Sequence, residues 1–148
     1  MSVLRPRVSE VAEGVFQLAR GGVNAYLIAS HDGLVLVDAG LPRTWPLLEQ
    51  ALAAVGARIA DIDTVLLTHG HFDHVGMGRM LQSRGVDAHV HPRDVHLARH
   101  PYSYRPEEAR VAYLLSHPGG IPPITRMALR GALGVRGIEV AGRVSHGH

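Results

Sequence analysis

The stretch Asp63-Thr64-Val65-Leu66-Leu67-Thr68-His69-Gly70-His71-Phe72-Asp73-His74 decides the reading of this chain. Its first half is a short apolar run of the kind carried by a strand buried on both faces, and the strand is expected over 63–68. Its second half packs His69, His71, Asp73 and His74 into six residues. His69 and His71 stand two apart as the chain leaves the strand. Alternation turns both imidazoles to one side, where they can converge on a single metal ion. Asp73 and His74 come after the backbone has begun to turn and address a neighbouring position. Nitrogen and carboxylate donors at this density suit a pair of zinc ions, which in two-metal sites lie roughly 3.5–4 Å apart. Gly70, Gly76 and Gly78 permit tight turning and close helix approach around them. A His-rich surface turn accounts for His-x-His alone. It does not account for Thr-His-x-His-x-Asp-His set between an apolar strand and a Gly-containing helix.

Upstream, the chain reads as strands. Gly14–Leu18 is short and apolar, and Val23–Ala29 is longer and ends at the turn signal His31-Asp32-Gly33. Leu34–Val37 follows as an unbroken apolar run, expected to be buried on both faces, and stops at Asp38-Ala39-Gly40. Two such runs joined through Asp-Gly predict a hairpin. A helix is expected over 45–55, with Thr44 as N-cap, Pro46 in the first turn, and Leu47, Leu48, Leu52 and Val55 as its buried stripe.

Downstream, a helix is expected over 75–84 and a strand over 87–91, closed by Pro92. Further helices are expected from Pro106 to the residue before Pro118 and over 123–133, with a weak strand at Ile138-Glu139-Val140. Strands alternating with helices give an α/β class.

Composition narrows the function. A chain of 148 residues, 46% hydrophobic and 19% charged, suits one globular domain. The net charge is +2, and the fifteen cationic residues are all Arg, scattered singly, which argues against a nucleic-acid partner. Cysteine is absent, so disulfides, Cys-ligated zinc and a thiol nucleophile are excluded. Eleven histidines are the anomaly, since imidazole is the commonest metal ligand. Met1–Arg7 has no apolar core of signal-peptide length, and no apolar run approaches membrane-spanning length, so a cytoplasmic protein without membrane partner is expected.

These residues together resemble the metallo-β-lactamase-fold hydrolases, including glyoxalase II-like thioesterases and N-acyl-homoserine lactonases. Val23–Ile28 resembles the family's Asn-x-Tyr-Leu strand, Val35–Gly40 its strand ending in Asp-x-Gly, and Thr68–Gly76 its signature motif. The resemblance implies an αβ/βα sandwich in which His69 and His71 bind a first zinc and Asp73 and His74 a second. It places Asp38 beneath the metals, although a turn-forming Asp before Gly40 explains that residue as well. It further implies that metal-bound hydroxide attacks the carbonyl of a small ester, thioester or lactone, with Asp73 orienting the nucleophile and accepting its proton. A β-lactamase itself is disfavoured, because β-lactam targets lie outside the cytoplasm. A nuclease-type member of the fold would need the clustered basic residues that are missing here.

The chain departs from that pattern in its second half. Of the remaining family ligands, a third His fits His148 in Ser145-His146-Gly147-His148, with His146 the weaker candidate. A bridging Asp is absent, since no Asp follows Asp94. The chain is therefore expected to be one incomplete domain, residues 1–148, truncated at the C-terminus and holding one or two zinc ions. A metal-binding fragment without catalysis is the rival reading. Half a sandwich should leave one face of its sheet uncovered, with Val35, Val37, Val65 and Leu67 on it, and so favour self-association. His89 and His91 share a strand face but are read as structural, His96, His100 and His117 as solvated, and His31 as part of a turn. Tyr102, Tyr104, Arg105 and Tyr113 are candidates for substrate contact or for packing on the core.

Overall fold

Four strands run antiparallel from the N-terminus, each short enough to reverse through a tight turn. They are β1 (Arg7–Ala12), β2 (Val15–Arg20), β3 (Val23–Ser30) and β4 (Gly33–Val37). The computed structural model describes residues 5–103 and 131–143. The hairpin expected at His31-Asp32 is present, with Ser30 opposite Gly33. After β4 the pairing turns parallel: β5 (Thr64–Leu66) joins β4, β6 (Asp87–Val90) joins β5, and β7 (Gly142–Arg143) joins β6. Parallel neighbours need long crossovers, and these carry α1 (Trp45–Ala54), α2 (Gly78–Gln82) and α3 (Val95–Arg99). The sheet keeps chain order from β1 to β7.

Register sorts the side chains into two unlike faces. Phe16, Leu27, Leu36, Val65 and Ala88 lie opposite one another across five strands, and all are buried. Leu47, Leu48, Ala51 and Leu52 of α1 and Leu81 of α2 complete that core. On the other face, Tyr26, Val37 and Leu66 form one row and Ile28, Val35 and Thr64 the next. These are half-buried, except Ile28, which is 37% exposed.

Several expectations need correction. The four residues expected on the bare face divide between the two faces: Val35 and Val37 are there, whereas Val65 and Leu67 are buried. The β4–β5 register aligns Leu36, not Val35 or Val37, with Val65. Leu34–Val37 is accordingly covered on one face only, with Leu36 the one fully buried residue of that run. The strand β1 lacks an apolar alternation and was not foreseen; it is an edge strand held by its backbone pairing to β2. The strand expected over 63–68 shrinks to Thr64–Leu66, and Asp63 instead accepts a hydrogen bond from the Leu34 amide (2.7 Å).

The helix expected from Val75 begins at Gly78, because the amides before it are drawn elsewhere. Gly76 N donates to Gly40 O (2.8 Å) and Met77 N to Ala39 O (2.9 Å), so the i→i−4 bond that Val75 N makes to His71 O (3.2 Å) is not continued. Thr44 stands at the N-cap of α1 without a side-chain cap bond; the chain enters the helix through a 3₁₀ turn at Pro42–Thr44. Ile138–Val140 is not a strand. Ile138 is a buried plug in the main core, and pairing resumes at Gly142. Ala132–Gly134 is a 3₁₀ turn, not the end of an α-helix. The helix expected from Pro106, and the rest of that over 123–133, lie outside the described residues. Among the described residues, no helix is long and apolar enough to cross a membrane.

Candidate metal centre

Two loops leave the carboxyl ends of β4 and β5, and the site is built where they are joined. Ala39 N donates to His74 O (2.7 Å), and Gly76 and Met77 donate back to Gly40 and Ala39. Gly76 is required by this contact: a Cβ there would lie 2.7 Å from the Cα of Leu41 and closer still to Gly40 O. Beyond the loops, α3 leans on the spacer between the first two histidines. A Cβ on Gly70 would collide with Ala98 N and stand 2.8 Å from Leu97 C and 2.9 Å from Asp94 O.

Asp38 is the polar hub beneath these loops. It is 6% exposed and has φ +60°, a conformation that Asp adopts more readily than most side chains. Its Oδ1 accepts from Thr68 N (2.8 Å), and its carboxylate accepts from Thr68 Oγ1 (2.9 and 3.0 Å). Its Oδ2 also lies 2.9 Å from Nδ1 of His74. Thr68 Oγ1 further approaches Nδ1 of His69 (3.1 Å) and Nδ1 of His74 (3.4 Å). One carboxylate and one hydroxyl thus hold two imidazoles by their Nδ1 edges, which is how a supporting layer orients metal-binding histidines.

Above this base, His69, His71 and Asp73 each offer one ligand atom, and the three atoms lie within 4.8 Å of one another. All three residues are half-buried. Two imidazoles and a carboxylate converging at that range are donors of the kind that zinc takes. His74 stands beside them, its ring centroid 3.9 Å from that of His69 and its Nε2 3.5 Å from Oδ2 of Asp73. With Nδ1 committed to Asp38, Nε2 is the nitrogen that shares a position with Asp73.

Electrostatics separate the two neighbouring histidines. Burial, and then the fields of His74 and His71, hold the His69 pKa below the ordinary imidazole value, only partly offset by Asp38 and Asp73. That favours the neutral, ligating form. Burial also opposes charge on His74, but the hydrogen bond and charge of Asp38, joined by Asp73, outweigh it and raise the pKa.

The other candidates are placed elsewhere. His89 lies on the less covered face, its Nδ1 2.8 Å from Thr64 Oγ1. His91 accepts a hydrogen bond from Arg93 N (3.3 Å). His96 on α3 and His100 just after it are exposed with ring centroids 4.9 Å apart, and His31 lies in the hairpin turn near Asp32 (3.1 Å). Tyr104, Arg105, Tyr113, His117, His146 and His148 lie outside the described residues.

Sequence reasoning passed over three contributors. Thr68 was read only as part of a motif, although a hydroxyl directly before a ligand histidine is a usable signal. The α3 backing of Gly70 has no local signal. Neither does the stacking of Phe72 on Tyr102, with centroids 5.6 Å apart and planes at 15°.

The metallo-beta-lactamase superfamily model matches residues 18–148. An atrochrysone carboxyl ACP thioesterase of Aspergillus fumigatus is 40% identical over 79 residues, covering 51% of this chain and 24% of the relative. An exodeoxyribonuclease of Streptococcus pneumoniae is 30% identical over 88 residues, covering 58% of this chain and 32% of the relative. A subclass B3 metallo-beta-lactamase of Bradyrhizobium japonicum superposes with a TM-score of 0.67 at 20% identity, covering 99% of this chain and 48% of its own. That last likeness is one of fold. The chain spans about half the length of this solved structure, and a third or less of the curated relatives named here.

Proposed function

Because this chain belongs to the metallo-beta-lactamase superfamily, a family of metallohydrolases, we propose that residues 1–148 form the metal-binding part of a zinc hydrolase acting on a small ester, thioester or lactone. The observation that carries the reading is the convergence of His69, His71 and Asp73 within 4.8 Å, over a base made by Asp38 and Thr68. His69 and His71 would hold the first zinc, with His148 a candidate third ligand. Asp73 and His74 would hold a second. Bound zinc supplies an electrophile for the substrate carbonyl and brings the pKa of water down to about 7.

The chain's own groups supply the rest. Asp73, whose Oδ2 lies 3.5 Å from His74 Nε2, would orient the nucleophile and accept its proton on the carboxylate. Asp38 keeps His74 aimed through Nδ1, and Thr68 holds Asp38 through both backbone and hydroxyl. The thioesterase relative supports the carbonyl-substrate reading. The exodeoxyribonuclease relative supports a phosphodiester reading, against which stands the scatter of the fifteen Arg residues.

The deciding experiment offers the zinc-loaded chain p-nitrophenyl acetate and linear duplex DNA in parallel. Ester turnover that chelation abolishes, with DNA left intact, is the expected result. DNA degradation without ester turnover would overturn the reading in favour of a nuclease. Zinc binding with neither activity would leave a metal-binding fragment without catalysis.

A further inference from the structure

Imidazoles also meet outside the loop centre. His96 lies in α3 and His100 caps its C-terminal end, four residues on, so the helical turn places both side chains on one face. Both are exposed, as solvated positions are, yet their rings are gathered, with centroids 4.9 Å apart and planes at 48°. The rings of His69 and His71 are spaced much the same, at 4.6 Å.

That spacing has a chemical meaning. A zinc–imidazole bond of about 2.0–2.1 Å sets each ring centroid about 3.2 Å from the ion, so two rings bound at roughly 90–109° have centroids about 4.5–5.2 Å apart. The pair falls inside this interval, and binding asks for ring rotation at most. Two histidines at i and i+4 on one helix face are also a known way for a helix to hold a divalent metal.

The backbone beneath the pair is already fixed. His100 N donates to His96 O (2.9 Å) and Leu97 O (3.1 Å), and Ser103 N donates to His100 O (2.8 Å). On the buried side of the same helix, Ala98 O accepts from Ile138 N (3.0 Å), and both residues belong to the main core. Arg99, the neighbouring cation, is paired with Glu139 Oε2 through Nε (3.1 Å) and Nη2 (3.0 Å), which offsets its charge. A pair held in this way loses little freedom when a ligand arrives. Among the described residues, no third ligand atom of His, Cys, Asp or Glu joins the two rings, so water fills the other positions of a bound ion.

We propose that His96 and His100 form a second metal site, separate from the loop centre, that takes one divalent transition-metal ion of the imidazole-seeking kind: copper(II), nickel(II) or zinc. Two protein ligands hold an ion loosely, so it exchanges and leaves on dialysis. While bound, it clasps successive turns of α3, the helix whose Leu97–Ala98 backbone stands behind Gly70.

The test saturates the chain with zinc, dialyses it, and titrates it with copper(II), which tops the affinity order for such donors, under electron paramagnetic resonance. The proteins compared are wild type, His96→Gln, His100→Gln, the double variant and, as an exposed control, His31→Gln. Each substitution alters an exposed side chain and leaves folding intact. Wild type should bind copper with a spectrum split by two nitrogens. Either single variant should lose that splitting and about tenfold or more in affinity, since one imidazole cannot chelate. The double variant should lose little more, and His31→Gln should match wild type. Equal copper binding in wild type and both single variants overturns the proposal, with zinc expelled ion for ion placing the copper in the loop instead. A loss in His31→Gln as large as in His96→Gln overturns it too, because the histidines would then act singly.

Discussion

The two faces of the sheet are made by the same strands, yet only one is finished. Phe16, Leu18, Leu27, Leu36 and Val65 are buried beneath the helices, while Tyr26, Val35, Val37 and Leu66 one residue away are half-buried and Ile28 is exposed. The metal loop belongs to the finished side. Ala98 of α3, which backs Gly70, is part of the main core, and so are Val75 and Met77 just beyond the ligands. The comparison teaches that, among the described residues, the site's geometry is fixed by one covered layer and two joined loops. Overall stability is a separate matter, since five apolar side chains on the other face forgo part of the burial that a second layer would give them.

The sharpest way to break the comparison is to delete the same kind of group on each side. Leu36→Ala opens a cavity in close-packed surroundings and should cost about 2–5 kcal/mol, whereas Leu66→Ala, the same truncation on the other face, should cost about 1 kcal/mol. Chemical denaturation of the two variants checks this, and equal losses would mean that both faces are packed alike. A smaller effect is expected at the joint between core and site. Gly70→Ala pushes a methyl into the backbone of α3, and overpacking of this kind costs about 1–3 kcal/mol. It should also weaken zinc binding and change the visible spectrum of the cobalt-substituted chain; an unaltered spectrum would show that α3 does not set the loop.

The smallest effect concerns the half-covered face itself, where we expect a second copy of the chain to pack. Sedimentation should show association that grows with concentration, and Ile28→Asp should shift the population toward monomer with little change in zinc content. A wild-type chain that stays monomeric throughout would remove this face as an interface.

How much of this was legible beforehand follows from what each feature depends on. The loop that gathers His69, His71 and Asp73 was legible because four ligand-type residues in six positions is a local signal, and β2 to β6 because each carries a local apolar run. The assignment of faces was not. Leu34–Val37 and Val65–Leu67 are unbroken apolar runs without a period of two, so only the register between parallel strands, set by tertiary packing, decides which side each residue takes. The start of α2 was hidden because Gly76 and Met77 spend their amides on the Ala39–Gly40 loop, a contact nearly forty residues distant in sequence. The strand β1 offered no hydrophobic face to detect. Asp38 was half legible: its position before Gly40 was evident, but its four hydrogen-bond contacts with Thr68 and His74 exist only in the fold.

The central claim is that this half-covered layer suffices to hold metal between its two loops, and metal analysis tests it most directly. The purified chain is loaded with zinc, dialysed against buffer and assayed for zinc per monomer, beside His69→Ala/His71→Ala and, as a control from the other face, His89→Ala/His91→Ala. The account predicts that wild type and the control keep tightly held zinc while the His69/His71 variant loses it. Equal zinc content in all three proteins would contradict it.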